Sequence, residues 1–216
     1  MKLLLFIALT FLTGLRLSSQ NPSLHVIDTD FSKGRLQLEQ EVSLSDIAKF
    51  HGHSCDGLVV GFLGLREVLF ELFPDSLVDR TDVRVVSKSS PCLTDVAVYL
   101  SGGRYQFNTF YVSDSFDYLM IAQRISTGNA YGFRLKKGVK PASIDSLGNL
   151  AIVGNLDACG LDLLRQLEDQ FTVQLLQSMP FELFDINQIE RFAWTPVLRN
   201  SFVKTDVLNK SKEQCR

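Results

Sequence analysis

Residues 50 to 57 read Phe50-His51-Gly52-His53-Ser54-Cys55-Asp56-Gly57, and they sit between two segments of helical pattern. Two of the chain's three histidines fall here, two residues apart, and a cysteine follows two residues later. Imidazole nitrogen and thiolate sulfur are the donors that Zn²⁺ and its borderline neighbours prefer. In an extended backbone His51, His53 and Cys55 would point to one side, because side chains alternate with a period of two. In a helix His51 and Cys55 would share a face and His53 would point away. Gly52 and Gly57 disfavour a regular helix through the run, so the expectation is a loop folded around an ion.

The flanks support this. Ser43, with Asp46 three residues on, has the form of a capping box and starts a short helix, Leu44 to Phe50. A longer helix is predicted from Gly57 to Phe73, stopped by Pro74. Gly57, Gly61 and Gly64 mark a close-packed face on it, which a sheet, a helix or a second copy of the chain could cover; a homodimer built there is one expectation. Cys55 precedes this helix, and a helix N-terminus lowers the pKa of a thiol. Ser89-Ser90-Pro91 opens another helix, Cys92 to Leu100, with proline suited to its first turn. Two cysteines at two helix starts could therefore face each other across one pocket.

His-Gly-His-x-Cys-x-Gly, followed by Val60-Gly61, is similar to the opening signature of the FmdE family, named after a component of formylmethanofuran dehydrogenase. Pro91-Cys92-Leu93-Thr94-Asp95-Val96-Ala97 resembles the front of that family's second motif, Cys-x-x-Asp-Ala. The chain departs from the pattern in carrying Asp56 where the family has proline, and Gly102-Gly103-Arg104 where it has Gly-Cys-Thr. It also has no Cys-x-x-Cys pair for the zinc-ribbon tail of some members. The resemblance spans residues 44 to 190. It implies His51, His53 and Cys55 as metal ligands, with Cys92 as the next candidate. Asp95, at the family's aspartate position, would either orient a ligand histidine or face solvent. Asp56, within the run, is an extra ligand candidate at the position where the family has proline. The family's name implies a place beside a molybdenum or tungsten enzyme, not catalysis by this chain.

Further along, strands are expected at Asp82 to Lys88, Tyr105 to Ser113, Tyr118 to Ser126 and Ala130 to Lys136, the last two joined by a Thr127-Gly128-Asn129 turn. Pro141 to Asn149 reads as loop. A helix capped by Asn155 or Asp157 runs to Ser178, with an apolar stripe of Leu161, Leu164, Leu167, Phe171, Leu175 and Leu176. Phe181 to Ile186 reads as a last strand or a docking segment, and Trp194 as the residue that packs the tail down. The pattern is α+β: a helix-strand-helix-three-strand core followed by a C-terminal helix. The family resemblance adds a mixed four-stranded sheet with helices on one face.

The 216 residues, 45% hydrophobic, suffice for one domain with a full core. The net charge of −2 gives no basic footprint for nucleic acid. Residues 1–20 read as a signal peptide: Lys2, an apolar core from Leu3 to Leu12 too short to span a bilayer, then Ser18 and Ser19. Residues 21–42 read as an extended lead-in, 43–202 as the FmdE-like metal-binding domain and 203–216 as a flexible tail. His25, in the lead-in, reads as an ordinary surface histidine. Export, periplasmic or secreted, permits disulfides. Cys55 and Cys92 could then be thiolate ligands or, without metal, a disulfide. Cys159 and Cys215 read as a buried apolar thiol and a tail thiol.

Three functions stay open at this point. One is a secreted domain binding a transition metal, zinc by donor type. The second is a zinc enzyme with an open coordination position for water or a small-molecule ligand, for which Asp56 and Asp95 are the nearby bases. The third is thiol redox chemistry at Cys55 and Cys92.

Overall fold

The structure is a computed structural model and describes residues 21–28, 38–196 and 215. The expected signal peptide and nearly all of the expected tail lie outside the described residues. The chain order is β1 (Ser23–Ile27), β2 (Gln40–Ser43), α1 (Leu44–His51), α2 (Asp56–Leu72), β3 (Leu77–Asp79), β4 (Val83–Ser87), α3 (Pro91–Ser101), β5 (Phe110–Val112), β6 (Met120–Arg124), β7 (Ala130–Leu135), α4 (Ala142–Ile152), α5 (Ala158–Gln177), α6 (Pro180–Leu183) and β8 (Phe184–Gln188).

The hub is α2. From Leu58 to Leu65 its sequence carries no polar side chain, and Leu58, Val59, Phe62, Leu65, Val68 and Leu69 are all fully buried. A helical stretch hydrophobic on every side must be covered on every side. Here α3, α5 and a five-stranded sheet, ordered β5-β4-β6-β7-β8, do the covering. Only β4 and β5 run parallel in that sheet; the other neighbours are antiparallel. Side chains alternate across it. Val85, Met120, Ala122 and Phe133 face the helices, whereas Val86, Tyr111, Ile121 and Ala130 form a second apolar cluster on the far face. Phe116, Tyr118, Phe192 and Trp194 cover that far face. Trp194 meets Tyr111 edge-on at 4.6 Å, and its indole N–H donates to Asn108. It does pack the late segment down.

The glycine face of α2 is covered from within the chain. A Cβ on Gly64 would come within 2.1 Å of the Phe133 ring, and one on Gly61 would press on Leu93, Met120 and Val96. Of the coverings that the glycine pattern allows, a helix and a sheet supply this one: α3 through Leu93 and Val96, and the five-stranded sheet through Met120 and Phe133.

Several expectations need correcting. The sheet has five strands, because β8 pairs antiparallel with β7. A second, three-stranded sheet, β2-β1-β3, joins the two strands of the lead-in to β3, which follows α2. Tyr105–Phe107 is a 3-10 turn, and only Phe110–Val112 is strand. The turn ends at Asn108 in the left-handed region, which breaks the alternation. Residues 142–152 form α4, not loop. Ile144, Leu147 and Ala151 fall on its inner face, a spacing obscured by the polar run around Gly148. Cys159 and Cys215 are joined in a disulfide. A residue one place from the chain end carries no local signal of what it meets in space.

Candidate metal centre

Three local devices build the site. The Ser43/Asp46 capping box forms as expected and starts α1. Gly52 ends it in the left-handed conformation (φ 99°), its N–H donating to Ala48 O at 2.9 Å. His51 is therefore the last residue of a helix, not part of a loop. The chain then turns, and Cys55 is the N-cap residue of α2. Ser90 caps α3 through Leu93 N–H, which places Cys92 in the first turn.

These starts and ends converge. His51 Nε2 lies 3.6 Å from Cys92 Sγ and 4.0 Å from Cys55 Sγ, and the two sulfurs are 3.4 Å apart. On the far side of the ring, His51 Nδ1 is 2.7 Å from Asp95 Oδ2. The carboxylate accepts from Nδ1–H, and Nε2 is the ring nitrogen that faces the sulfurs. Asp95 thus takes the orienting role, not the solvent-facing one. The His51 side chain is only 7% exposed.

The triangle can be tested against a metal. Four-coordinate zinc has bonds of about 2.3 Å to sulfur and 2.0–2.1 Å to nitrogen, so two thiolates would sit about 3.8 Å apart and sulfur and nitrogen about 3.6 Å. The observed 3.4, 3.6 and 4.0 Å lie within about 0.4 Å of those spacings. His51, Cys55 and Cys92 form a group able to hold a metal ion. His53 stands beside this group and outside it. It is exposed, with its ring centroid 4.6 Å from that of His51.

The electrostatics favour a thiolate. Cys55 is lowered to about 6 by the thiol hydrogen bond from Cys92, with help from Leu58 N–H, His51 and His53 and against its burial. Cys92, as the donor, is held well above the ordinary thiol range. Asp56, the first residue of α2, is raised by burial, which outweighs the opposing effect of Lys140.

Sequence reasoning misses Glu168 and Lys140. Glu168 follows Leu164 by four residues on α5 and precedes Phe171 and Leu175 by three and seven. A charge thus interrupts the stripe that packs inward, and that interruption is the available signal. Burial raises its carboxyl to about 7, with Asp56 and Cys55 adding and Lys140 opposing. The fold therefore favours the neutral acid. Stability should fall as pH rises from the ordinary glutamate value of 4.5 through about 7. Glu168→Gln is expected to melt above the native chain at about pH 8 and level with it at about pH 4. Melting curves at the two pH values check this; equal curves at both would refute it.

An α+β domain carrying a His/Cys/Cys donor set is the class that fold and site define. The family model described as FmdE, molybdenum formylmethanofuran dehydrogenase operon, matches residues 50–185. The chain belongs to this family. No curated protein matches it. Among the described residues, no helix is long and apolar enough to cross a membrane.

Proposed function

We propose that the protein is an exported metal-binding domain in which His51, Cys55 and Cys92 hold a transition metal. Zinc is the ion that the donor set favours, because one imidazole and two thiolates suit it and require no redox change. The observation that carries the reading is the donor triangle, with Asp95 fixing the imidazole tautomer. Export is supported by the Cys159–Cys215 disulfide, since such bonds persist in oxidising compartments.

His53 is the nearest further candidate for the fourth position. Elemental analysis of the chain purified without added metal should find about one ion per chain, zinc in the majority. His53→Ala should retain the ion and weaken its hold by about tenfold if the imidazole closes the site. No ion in the native chain would end the reading.

The donor count supports a second reading. Three protein ligands and one open position are the arrangement of catalytic zinc. Asp56, beside Cys55 and raised by burial, is the base that such a site would use. An activity lost on chelation and in Asp56→Asn would favour this reading over a closed structural site.

A further inference from the structure

The two sulfurs that face His51 also face each other at 3.4 Å. Among the described residues they are the free cysteines, while the other pair is already a disulfide. Their spacing is set by backbone. Cys55 caps α2, Cys92 lies in the first turn of α3, and the two helices pack together. Gly57 has no side chain, and a Cβ there would sit 3.2 Å from both Cβ and Sγ of Cys92. The glycine lets the second sulfur come this close to the start of α2.

That spacing lies between two bonded states. A disulfide needs about 2.0 Å between sulfurs, and two thiolates on one tetrahedral zinc need about 3.8 Å. Side-chain adjustment of about 1.4 Å reaches the first, and of about 0.4 Å the second. Both cysteines are partly exposed, so a small oxidant can reach them.

We infer that Cys55 and Cys92 form a disulfide-forming pair that shares its sulfurs with the ion, so that metal and disulfide exclude one another. The inference rests on the metal reading given above. The oxidant is a low-molecular-weight disulfide. One cysteine thiolate attacks it, forming a mixed disulfide and releasing one small thiolate. The other cysteine, as thiolate, attacks the protein sulfur of that mixed disulfide and releases the second small thiol. Two protein thiols lose two electrons and two protons, and the oxidant is reduced to two thiols. The ion leaves because sulfur in a disulfide is no longer an anionic donor, and His51 alone remains of the set.

The test uses the full chain, metal-stripped and zinc-loaded, exposed to oxidised glutathione. Readouts are free-thiol titration, peptide mapping and released zinc. The Cys159→Ser/Cys215→Ser variant runs in parallel to isolate the pair. The stripped chain should form a Cys55–Cys92 linkage, and the zinc-loaded chain should form it about tenfold more slowly, because coordinated sulfur is less accessible to attack. The oxidised chain should take up no zinc until reduced. Free thiols that persist in the stripped chain would overturn the inference while leaving the metal reading intact, and so would zinc uptake by the oxidised chain. A reduced chain that binds no zinc yet forms the linkage would overturn the metal reading, and mutual exclusion with it.

Discussion

Replacing His51 and Cys55 together with alanine is expected to take metal content from about one ion per chain to background. Only Cys92 would remain of the triangle, and a single thiolate does not hold zinc against solvent. The fold should survive. Cys55 makes no side-chain capping bond to α2, and α1 is closed by the Gly52 backbone, not by His51. The imidazole's removal leaves Asp95 without its partner at a site open to water, a cost of about 1–2 kcal/mol. Elemental analysis beside thermal melting separates the two effects. Chelator should lower the melting temperature of the native chain and leave that of the variant unchanged, since a ligand stabilises only the state that binds it. An unchanged ion content in the folded variant would place the metal elsewhere.

Gly64→Ala should be the most damaging single methyl group in the molecule. The new Cβ would lie 2.1, 2.3 and 2.6 Å from three atoms of the Phe133 ring. That ring cannot step aside. It is fully buried in β7 and packed edge-on against Phe184 at 5.4 Å. Overpacking of this kind costs about 3 kcal/mol, or about 6–12 °C in melting temperature for a domain of this size. Phe133→Leu, harmful alone, should recover part of the loss when combined with Gly64→Ala, because the two changes act on one space. Equal melting of Gly64→Ala and the native chain would mean that α2 stands off from the sheet.

Much of this is legible in residue order, because it rests on local signals. Ser43 with Asp46, Pro74 after the apolar run, Pro91 behind Ser90, and Asp157 ahead of α5 each mark an end of a helix. Ser90 and Pro91 in turn place Cys92 in the first turn of one helix, and the apolar run from Gly57 places Cys55 just ahead of another. The His51–Asp95 pair spans 44 positions, and only the family motif gives any hint of it. What stays hidden is governed by distance along the chain or by weak periodicity. Nothing near Cys215 signals Cys159. The polar residues of α4 mask its inner face, and although a last strand near Phe181 to Ile186 is legible, its pairing with β7 is not. The glycine stripe of α2 reads as a close-packed face, without saying whether a sheet, a helix or a second copy covers it. Its partners are a ring from β7 and the side chains of α3 and β6.

The Cys159–Cys215 bond changes what kind of object the polypeptide is. It closes a covalent ring of 56 residue steps, and nearly all of α5, with α6, β8 and Trp194, lies within that ring. A single protease cut anywhere inside it leaves the pieces tethered. β8 can stay beside β7, and the Trp194 cover can stay on the far side of the sheet, until a second cut or a reductant frees them. Topologically the molecule is a loop on a stem, and the stem carries His51, Cys55 and Cys92.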